Sequence, residues 1–255
     1  MISIVQLIKL VLLVHFQSNL FTFGVASPVQ KELPSFVHAC SRHDADVEAC
    51  IRQNIEEIKP RLKDGIPELN VPKLEPLFIK ELVAADHQVL KISTKDLYVY
   101  GPSDFHLGQM HIDPDSHVFK FDVSFPHLRL DGKYTVDGKI IMLQIKGNGN
   151  LTGDIYDIKA NVTMHGDKME KDGVNVYHFS DMSIKLKVHK GKIHLSNLFN
   201  GDKQLGEMIN AAINQNFDAF MKELSPIVEK SLDKFLLGAA DGIAESFPFD
   251  SLFIE

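Results

Sequence analysis

Tryptophan is absent from the 255 residues of the chain, and only 16 Gly and 11 Pro occur beside 17 Phe. The aromatic content is therefore mostly apolar, which suits an oily interior better than a wet, hydrogen-bonded interface. Positive charge is also scarce, because 27 Lys and Arg face 34 Asp and Glu. This mild acidity removes the electrostatic basis for binding a phosphate backbone, so no nucleic-acid partner is expected. A hydrophobic content of 44% is ordinary for a globular protein and excludes collagen and disorder.

The N-terminus has the composition of a secretory signal. Residues 1–26 contain a single Lys, an apolar run over Leu10–Phe16 and the small-residue segment Gly24-Val25-Ala26 at a signal-peptidase spacing. A membrane anchor is the alternative, but polar residues within 15–19 interrupt the run before the ~20 apolar residues that a span requires. The sequence predicts a signal peptide at 1–26, a mature domain at 27–255, an extracellular location and no integral membrane association.

The predicted export bears on the state of the two cysteines, because exported proteins meet an oxidising compartment. Cys40 and Cys50 lie close in sequence, fit no zinc motif and are expected to form a local disulfide in an oxidising compartment. Two Asn-x-Thr sequons, at Asn150 and Asn161, agree with that compartment and are candidate glycosylation sites. Residues around Asn161 alternate between apolar and polar, which places its side chain on the polar face of a strand.

Two segments carry apolar residues at helical spacing. The first predicts a helix over 44–63, with Gly65 placed to end it and Pro60 placed to kink or shorten its last turn. The second stripe covers 202–236, roughly 50 Å if straight, and Pro226 should bend it. So long an apolar helix requires a partner surface of similar length.

Between residues 87 and 198 the apolar period changes to two, which predicts half-buried antiparallel strands in a long meander. The segment 140–145 differs because both of its faces are apolar. Turn signals separate the strands at Gly101-Pro102, Asp113-Pro114, Asp131-Gly132, Asp137-Gly138, Asn148-Gly149, Asp172-Gly173 and Gly191. The concave face of this meander is the only surface long enough for the C-terminal helix. We therefore predict one α+β domain, a strongly curved antiparallel sheet wrapped around a long helix.

Motifs for chemistry fail on context. Residues 101–105 lack the last glycine of a nucleophile elbow, and the glycines of 147–153 have the wrong spacing for a dinucleotide loop. Residues 44–48 begin like a calcium loop without its required glycine and glutamate. Residues 111–117 offer four potential metal ligands, but their Asp-Pro-Asp centre indicates a hairpin turn. No catalytic residue, metal or cofactor is expected, although a hydrolase built from separated Ser, His and Asp residues stays open.

Several short motifs in a fixed order nevertheless resemble one family. The chain is similar to the insect takeout and juvenile-hormone-binding-protein (JHBP) family over essentially the whole mature length. The matching residues are Leu33-Pro34, Cys40, Asp46 to Ile51, Pro76-Leu77, Gly132-Lys133-Tyr134, Gly138 to Leu143, Gly147-Asn148-Gly149, Leu198-Phe199-Asn200-Gly201, Leu205-Gly206, Asn210, Ile213-Asn214, Asn216, Glu223-Leu224 and Pro226.

The resemblance implies a secreted carrier with an elongated apolar tunnel between sheet and helix. Hormone carriers of the family have a second disulfide that two cysteines cannot supply, so the takeout branch is implied and juvenile hormone is not the expected ligand. A monomer that holds a small lipid-like molecule, terpenoid or fatty-acid-like, is expected. The candidate wall residues are Phe119, Phe121, Phe125, Ile141, Leu143, Val162, Met164, Phe217, Phe220 and Leu224.

Two other classes of function stay open at this point. A secreted lipid-active hydrolase would require a polar triad inside the tunnel. A protein-binding signalling module without a small ligand would instead require an exposed apolar patch.

Overall fold

The structure, a computed structural model, describes residues 29, 32–41, 43, 44, 46–86, 90–113, 115–140 and 143–254. The predicted signal peptide lies outside this part, as does the candidate wall residue Ile141. The strands are β1 (Cys40–Ser41), β2 (Leu77–Asp86), β3 (Leu90–Tyr100), β4 (His106–Asp113), β5 (Val118–Ile140), β6 (Leu143–Lys171), β7 (Val174–Lys187), β8 (Lys190–Leu195) and β9 (Phe253–Ile254). The α-helices are α1 (Val47–Ile58), α2 (Lys203–Gln215), α3 (Phe217–Ala244) and α4 (Phe249–Leu252).

One long hairpin forms the spine of the predicted antiparallel sheet. Strands β5 and β6 pair from Val118 opposite His165 to Ile140 opposite Leu143. Each has two shorter partners on its outer side: β4 and β3 flank β5, and β7 and β8 flank β6. Strand β2 continues the sheet beyond β3. The sheet is therefore not the simple meander expected from sequence, because β4 and β8 share the long strands with other partners.

Alternation along the spine follows the prediction. Successive inward positions of β6 are buried, and Lys120 on β5 is exposed between two more buried phenylalanines. The buried β6 residues of this run are Ile158, Ala160, Val162 and Met164. Asn161 and Asn150 are exposed, so both predicted sequons are accessible on the surface.

Several predicted turns lie inside strands instead. Gly132 is within β5 and Gly149 within β6, where an added Cβ would lie 2.9 Å from Leu97 Cα and 2.4 Å from the Ser196 carbonyl oxygen, respectively. These glycines, like Gly138 and Gly191 on their strands, are therefore not turn residues. The physical reason at the first two is close backbone approach, for which glycine is the residue without a steric penalty.

Two further boundaries differ from expectation. The sheet begins at Leu77, ten residues before the start predicted at 87. The segment 140–145, predicted as one strand with two apolar faces, is divided between two strands, since β5 ends at Ile140 and β6 begins at Leu143. Its described apolar residues, Ile140, Leu143 and Ile145, therefore come from both strands.

The long C-terminal stripe forms two helices, not one. The break falls at Asn216, not at Pro226, which lies inside a continuous α3. Asn216 leaves helical geometry while its side-chain Nδ2 donates to the Ala212 carbonyl at 3.0 Å. Its own carbonyl accepts from the Phe220 amide at 2.9 Å, so one residue ends α2 and starts α3. Asparagine favours such caps because its amide competes with the helical hydrogen bonds.

Helix α3 contacts both edges of the five-strand path from β2 to β7. Ser231 Oγ donates to the Val83 carbonyl of β2 at 2.6 Å, while Asp233 Oδ1, two residues on, accepts from the Ile184 amide of β7 at 2.7 Å. In a flat sheet these edges would lie about 19 Å apart, farther than one helix can reach. The sheet must therefore curl strongly around α3, as predicted.

Helix α1 is linked covalently to β1 and, through β1, to β9. Its N-cap is Asp46, whose carboxylate accepts from the Ala49 amide at 3.2 Å, and it ends at Ile58 before a 3-10 turn that contains Pro60. The predicted disulfide between Cys40 and Cys50 is confirmed. Because β1 also pairs in parallel with β9, the disulfide connects α1 to the C-terminus of the chain.

The interior has two ends of different character. The filled end is the large cluster of buried side chains from β2, β3, α2, the start of α3 and the halves of β5 and β6 that include the pair Ile140 and Leu143. It includes Ile79, Leu97, Tyr134, Ile145, Ile193, Ile213, Phe217 and Phe220. The cavity end is made of the other halves of β5 and β6, where Val118 pairs with His165, together with β7, α1, the end of α3 and the segments 33–40 and 247–253. It includes Val47, Phe119, Val162, Met164, Tyr177, Ile184, Phe247 and Phe249.

Candidate ligand-binding cavity

A cavity of about 340 Å³ lies at the cavity end, between the sheet, α1 and the last turns of α3. Its volume falls within the range usual for small-molecule sites. Its walls are Leu33, Val37, His38, Cys40, Ile51, Asn54, Ile55, Ile58, Leu69, Phe119, Tyr177, Phe179, Ala240, Ile243, Ala244, Phe247, Leu252 and Phe253. Most of these side chains are aliphatic or aromatic, so the cavity presents an apolar surface.

Three aromatic rings on neighbouring strands form the sheet wall. Phe119 of β5 lies edge-on to Tyr177 and Phe179 of β7, with 5.6 Å between ring centroids in each pair. Tyr177 and Phe179 are two residues apart on one strand, so they share a face, and their centroids are 5.0 Å apart. Edge-to-face packing of this kind is favourable beyond the area it buries. The wall is therefore a rigid aromatic surface.

Polar groups of the cavity are already engaged. The Asn54 side chain accepts from the His38 amide at 2.7 Å and donates to the His38 carbonyl at 2.8 Å. Burial, followed by the nearby Asp167 charge, raises the pKa of the Tyr177 phenol, so this group stays neutral. Among the described lining residues there is no Ser, Asp or Glu. The cavity thus offers few free hydrogen-bonding groups to an occupant.

Carboxylates of α3 hold the β7 wall in place. Asp241 Oδ1 accepts from the Phe179 amide at 2.6 Å, and Glu229 Oε1 accepts from the Leu186 amide at 2.7 Å. Burial raises the pKa of the Asp241 and Asp233 carboxyls above their ordinary value of 3.8, partly offset by the backbone amides that they accept from. The helix therefore substitutes for a missing neighbouring strand along β7.

The candidate wall residues fall into two groups. Phe119 lies on the cavity, and Phe121, Val162 and Met164 pack in the same cluster behind it. The other described candidates belong to the filled end, namely Phe125, Leu143, Phe217, Phe220 and Leu224. Any role of these residues in ligand contact, and the extension of a tunnel beyond the cavity, stay predictions.

Most of the cavity comes from residues that strand and helix periodicity did not highlight. Leu33 and Val37 precede β1, and Phe247, Leu252 and Phe253 follow α3. A cluster of apolar residues between 247 and 254 was the available signal, because five of those eight positions are large and hydrophobic.

A second depression of about 440 Å³ lies between β8 and α2. Its lining includes Lys192, His194, Glu207 and two asparagines. Charged and amide groups of this kind do not suit an apolar occupant. The smaller cavity is the better candidate for binding.

The described residues of the segment 111–117 form the end of β4 and the turn that follows it. Asp113 Oδ1 accepts from the amides of Asp115 and Ser116 at 3.1 and 3.0 Å. The Ser116 hydroxyl and amide lower the pKa of this carboxyl. His111 instead lies 3.2 Å from Glu48 of α1. The loop is thus organised as a hairpin connection.

A curved antiparallel sheet covered by C-terminal helices is a fold seen in solved structures. The crystal structure of Epiphyas postvittana Takeout 1 has this fold, with a TM-score of 0.71, 20% identity and coverage of 86% of this chain and 100% of that one. Residues 18–254 match the family model of the haemolymph juvenile hormone binding protein (JHBP). The chain belongs to this family.

Individual relatives share a quarter or less of their residues with this chain, although they align over most of its length. The circadian clock-controlled protein daywake of Drosophila melanogaster is 25% identical over 236 residues, covering 86% of this chain and 88% of the relative. A protein of Schistocerca gregaria named "Putative beta-carotene-binding protein" is 19% identical over 219 residues, covering 85% and 88%. Within the described residues, no helix is both long and apolar enough to cross a membrane.

Proposed function

We propose that this protein is an exported, monomeric carrier that holds one small apolar molecule, terpenoid- or fatty-acid-like, in the 340 Å³ cavity. The observation that carries the proposal is the combination of apolar walls with polar groups that are already hydrogen-bonded to the protein. An occupant with a hydrocarbon body would lose no hydrogen bond on entry. A polar occupant would lose its own to water without replacement.

The driving force is the transfer of apolar surface from water. Each 100 Å² of ligand surface buried contributes about 2.5 kcal/mol before the entropy of association is subtracted. A rigid wall lowers the ordering penalty, because the aromatic rings at Phe119, Tyr177 and Phe179 already pack against each other. No covalent step is involved.

Relatives support an apolar ligand and an exported protein. The family description names a haemolymph juvenile hormone binding protein, and one relative is named as a putative beta-carotene-binding protein. The predicted signal peptide at 1–26, the Cys40–Cys50 disulfide and the exposed sequon asparagines Asn150 and Asn161 are consistent with secretion.

The cavity can be tested by filling it. Ala240 lines the cavity on α3, whereas Ala219 of the same helix is exposed. We expect Ala240→Phe to reduce binding of the fluorescent probe N-phenylnaphthylamine at least tenfold, because its ring would occupy the space of the ligand. Ala219→Phe should bind the probe like the wild type. Fluorescence titration measures both, with a thermal melt to show that each variant is folded.

Native mass spectrometry of protein secreted from insect cells then identifies the occupant. A monomer that releases a lipid-like molecule on denaturation supports the carrier. Equal probe binding by Ala240→Phe and Ala219→Phe would overturn the cavity as the site. Turnover of ester substrates would instead favour the hydrolase, and an empty protein that captures only another protein would favour a signalling module.

A further inference from the structure

Behind the aromatic wall of the cavity, one histidine faces two carboxylates. His178 Nδ1 lies 2.9 Å from Glu245 Oε1 and 3.3 Å from Asp241 Oδ1. The three potential ligand atoms all lie within 4.8 Å of one another. The side chains are 20% to 36% exposed, so the cluster is accessible to ions yet partly shielded from water.

The fold holds each member of this cluster in place. Asp241 and Glu245 are four residues apart near the end of α3, so they lie on one face of the helix. Asp241 Oδ1 accepts from the Phe179 amide at 2.6 Å, and Glu245 Oε2 accepts from Lys171 Nζ at 3.1 Å. These contacts orient both carboxylates and leave Glu245 Oε1 directed at His178. Such outer contacts are what position ligands in metal sites.

Other histidines lack this arrangement. Within the described part of the chain, five others form a pair with a carboxylate, and each has a single acidic partner: His38, His111, His127, His165 and His189. Their side chains are 44% to 69% exposed. The cluster at His178 is thus distinguished both by its second carboxylate and by its burial.

We propose that His178, Asp241 and Glu245 bind a divalent transition-metal ion of the zinc type. Metal–ligand bonds of about 2.0 to 2.1 Å in a tetrahedral site place neighbouring ligand atoms roughly 3.3 Å apart. The separations from His178 Nδ1, 2.9 and 3.3 Å, are close to that value. Three protein ligands leave the fourth position to water.

The chemistry of the donors selects the ion. An imidazole nitrogen favours zinc-type ions over Ca²⁺ and Mg²⁺, which prefer all-oxygen sites with more ligands. Metal coordination uses a neutral imidazole nitrogen and ionised carboxylates as ligands. The positive charge of Lys171 on the far oxygen of Glu245 moderates the affinity without blocking Oε1. Both cysteines are in the disulfide, so no thiolate competes.

An ion here would join β7 to the end of α3. His178 lies between Tyr177 and Phe179, whose rings line the cavity, and Ala244 of the cavity precedes Glu245. The site is therefore a metal clamp on the cavity wall. Its existence does not depend on the carrier function, because the ion does not enter the cavity.

The test is calorimetric titration of tag-free, chelator-treated protein with ZnCl₂. We expect one equivalent of zinc to bind, His178→Ala to weaken this binding at least tenfold, and the control His189→Ala to leave it within twofold. His189 is a suitable control because it pairs with Asp218 alone. A zinc-dependent rise in Tm should appear in the wild type and in the control only.

A second variant guards against loss of folding. Glu245→Gln keeps the size of the side chain while removing the ligand charge, and should also weaken zinc binding at least tenfold. CaCl₂ in place of ZnCl₂ should give no binding at the same concentration. Absence of a one-equivalent zinc site, equal affinity in all three variants, or equal binding of calcium would each overturn the proposal.

Discussion

The free edge of the sheet is closed by helices in two chemically different ways. Along β8, Asn214 of α2 accepts from the Ile193 amide at 2.8 Å and donates to the Ile193 carbonyl at 2.8 Å, and Asn210 does the same at Leu195. Along β7, the carboxylates of α3 accept from backbone amides. Each amide side chain thus replaces both hydrogen bonds of a strand residue, whereas each carboxylate replaces only the acceptor.

The difference follows the two ends of the interior. The neutral asparagines close the filled end, where their hydrogen bonds carry no charge. The carboxylates close the cavity end, where they lie among ionisable partners such as His178, Lys171 and Lys185. The edge beside the cavity is therefore the one at which the helix presents ionisable side chains to the strand. A sheet edge left open would pair with other chains, so both solutions also oppose aggregation.

Helix α1 covers a third strand edge, that of β4, with both a donor and an acceptor side chain. Arg52 donates to the carbonyls of Leu107 and Gly108 at 3.4 and 2.7 Å, and Glu48 accepts from the Ile112 amide at 3.1 Å. A donor and an acceptor on separate residues together serve β4. Covering strand edges with side chains of helices is thus a repeated device of this fold.

The largest expected contrast between the ends concerns core phenylalanines. Phe220 is 5% exposed in the filled end, so Phe220→Ala should lower the free energy of unfolding by about 3 to 5 kcal/mol. Phe119 is similarly buried but borders the cavity, so Phe119→Ala enlarges an existing space and loses fewer contacts. The loss in the free energy of unfolding should therefore be about 1 to 2 kcal/mol smaller than for Phe220→Ala. Urea unfolding measures both.

The preference for probes of different size should change more in Phe119→Ala than in Phe220→Ala, the reverse of the order expected for stability. Phe119→Ala should shift the preference toward bulkier probes, and Phe220→Ala should leave it unaltered. A shift in probe preference with Phe220→Ala would instead show that the tunnel reaches the filled end.

Local patterns were sufficient for much of the fold. The apolar stripe of α1 and the alternation around Val162 depend on neighbours in sequence, so they could be predicted. The glycines at 132 and 149 could not be separated from turn glycines, because the backbone that approaches them comes from residues 97 and 196. The break at Asn216 depends on which residue caps, which the apolar stripe does not encode.

The candidate site was predictable only in part. Phe119 was identified because it lies on a regular strand. The walls from Leu33, Val37 and Phe253 are brought there by the pairing of β1 with β9, two strands of two residues each, which carry no periodicity. The same limit applies to the cluster at His178, whose carboxylates lie more than 60 residues away in sequence.

An exchange of amide for carboxylate tests the neutral edge. Asn214→Asp keeps an acceptor for the Ile193 amide but loses the donor to its carbonyl, and should lower the stability at pH 7 by about 1 to 3 kcal/mol. Part of the loss should return in acid, since a protonated carboxyl can donate again. Gln215→Glu is the control, because this neighbour is exposed and should change stability little. Unfolding curves at pH 4 and pH 7 that show equal losses for both variants would mean that the amide pairing contributes nothing.

The smallest effect is expected on the charged edge. Burial raises the pKa of Asp233 above 3.8, so the folded protein holds a proton there at pH values where the unfolded chain has released it. The stability linked to this group is therefore complete below the unfolded pKa and is lost as pH rises through the folded one. Asp233→Asn keeps an acceptor for the Ile184 amide without the charge. It should match the wild type in acid and exceed it at pH 7 by less than about 1 kcal/mol.

The control for this last prediction is Asp172→Asn, in the exposed hairpin between β6 and β7, which should follow the wild-type pH profile. Urea midpoints across pH 3 to 7 give the comparison, with the sign of the difference as the decisive observation. A gain at neutral pH means that β7 needs the acceptor but not the charge of Asp233. A loss that grows with pH would mean that the ionised carboxylate is itself stabilising, because Lys185 nearby then outweighs the burial of the charge. In that case the carboxylates would stabilise the β7 edge as the asparagines stabilise the β8 edge. The contrast between the two edges would then lie in hydrogen-bond geometry alone.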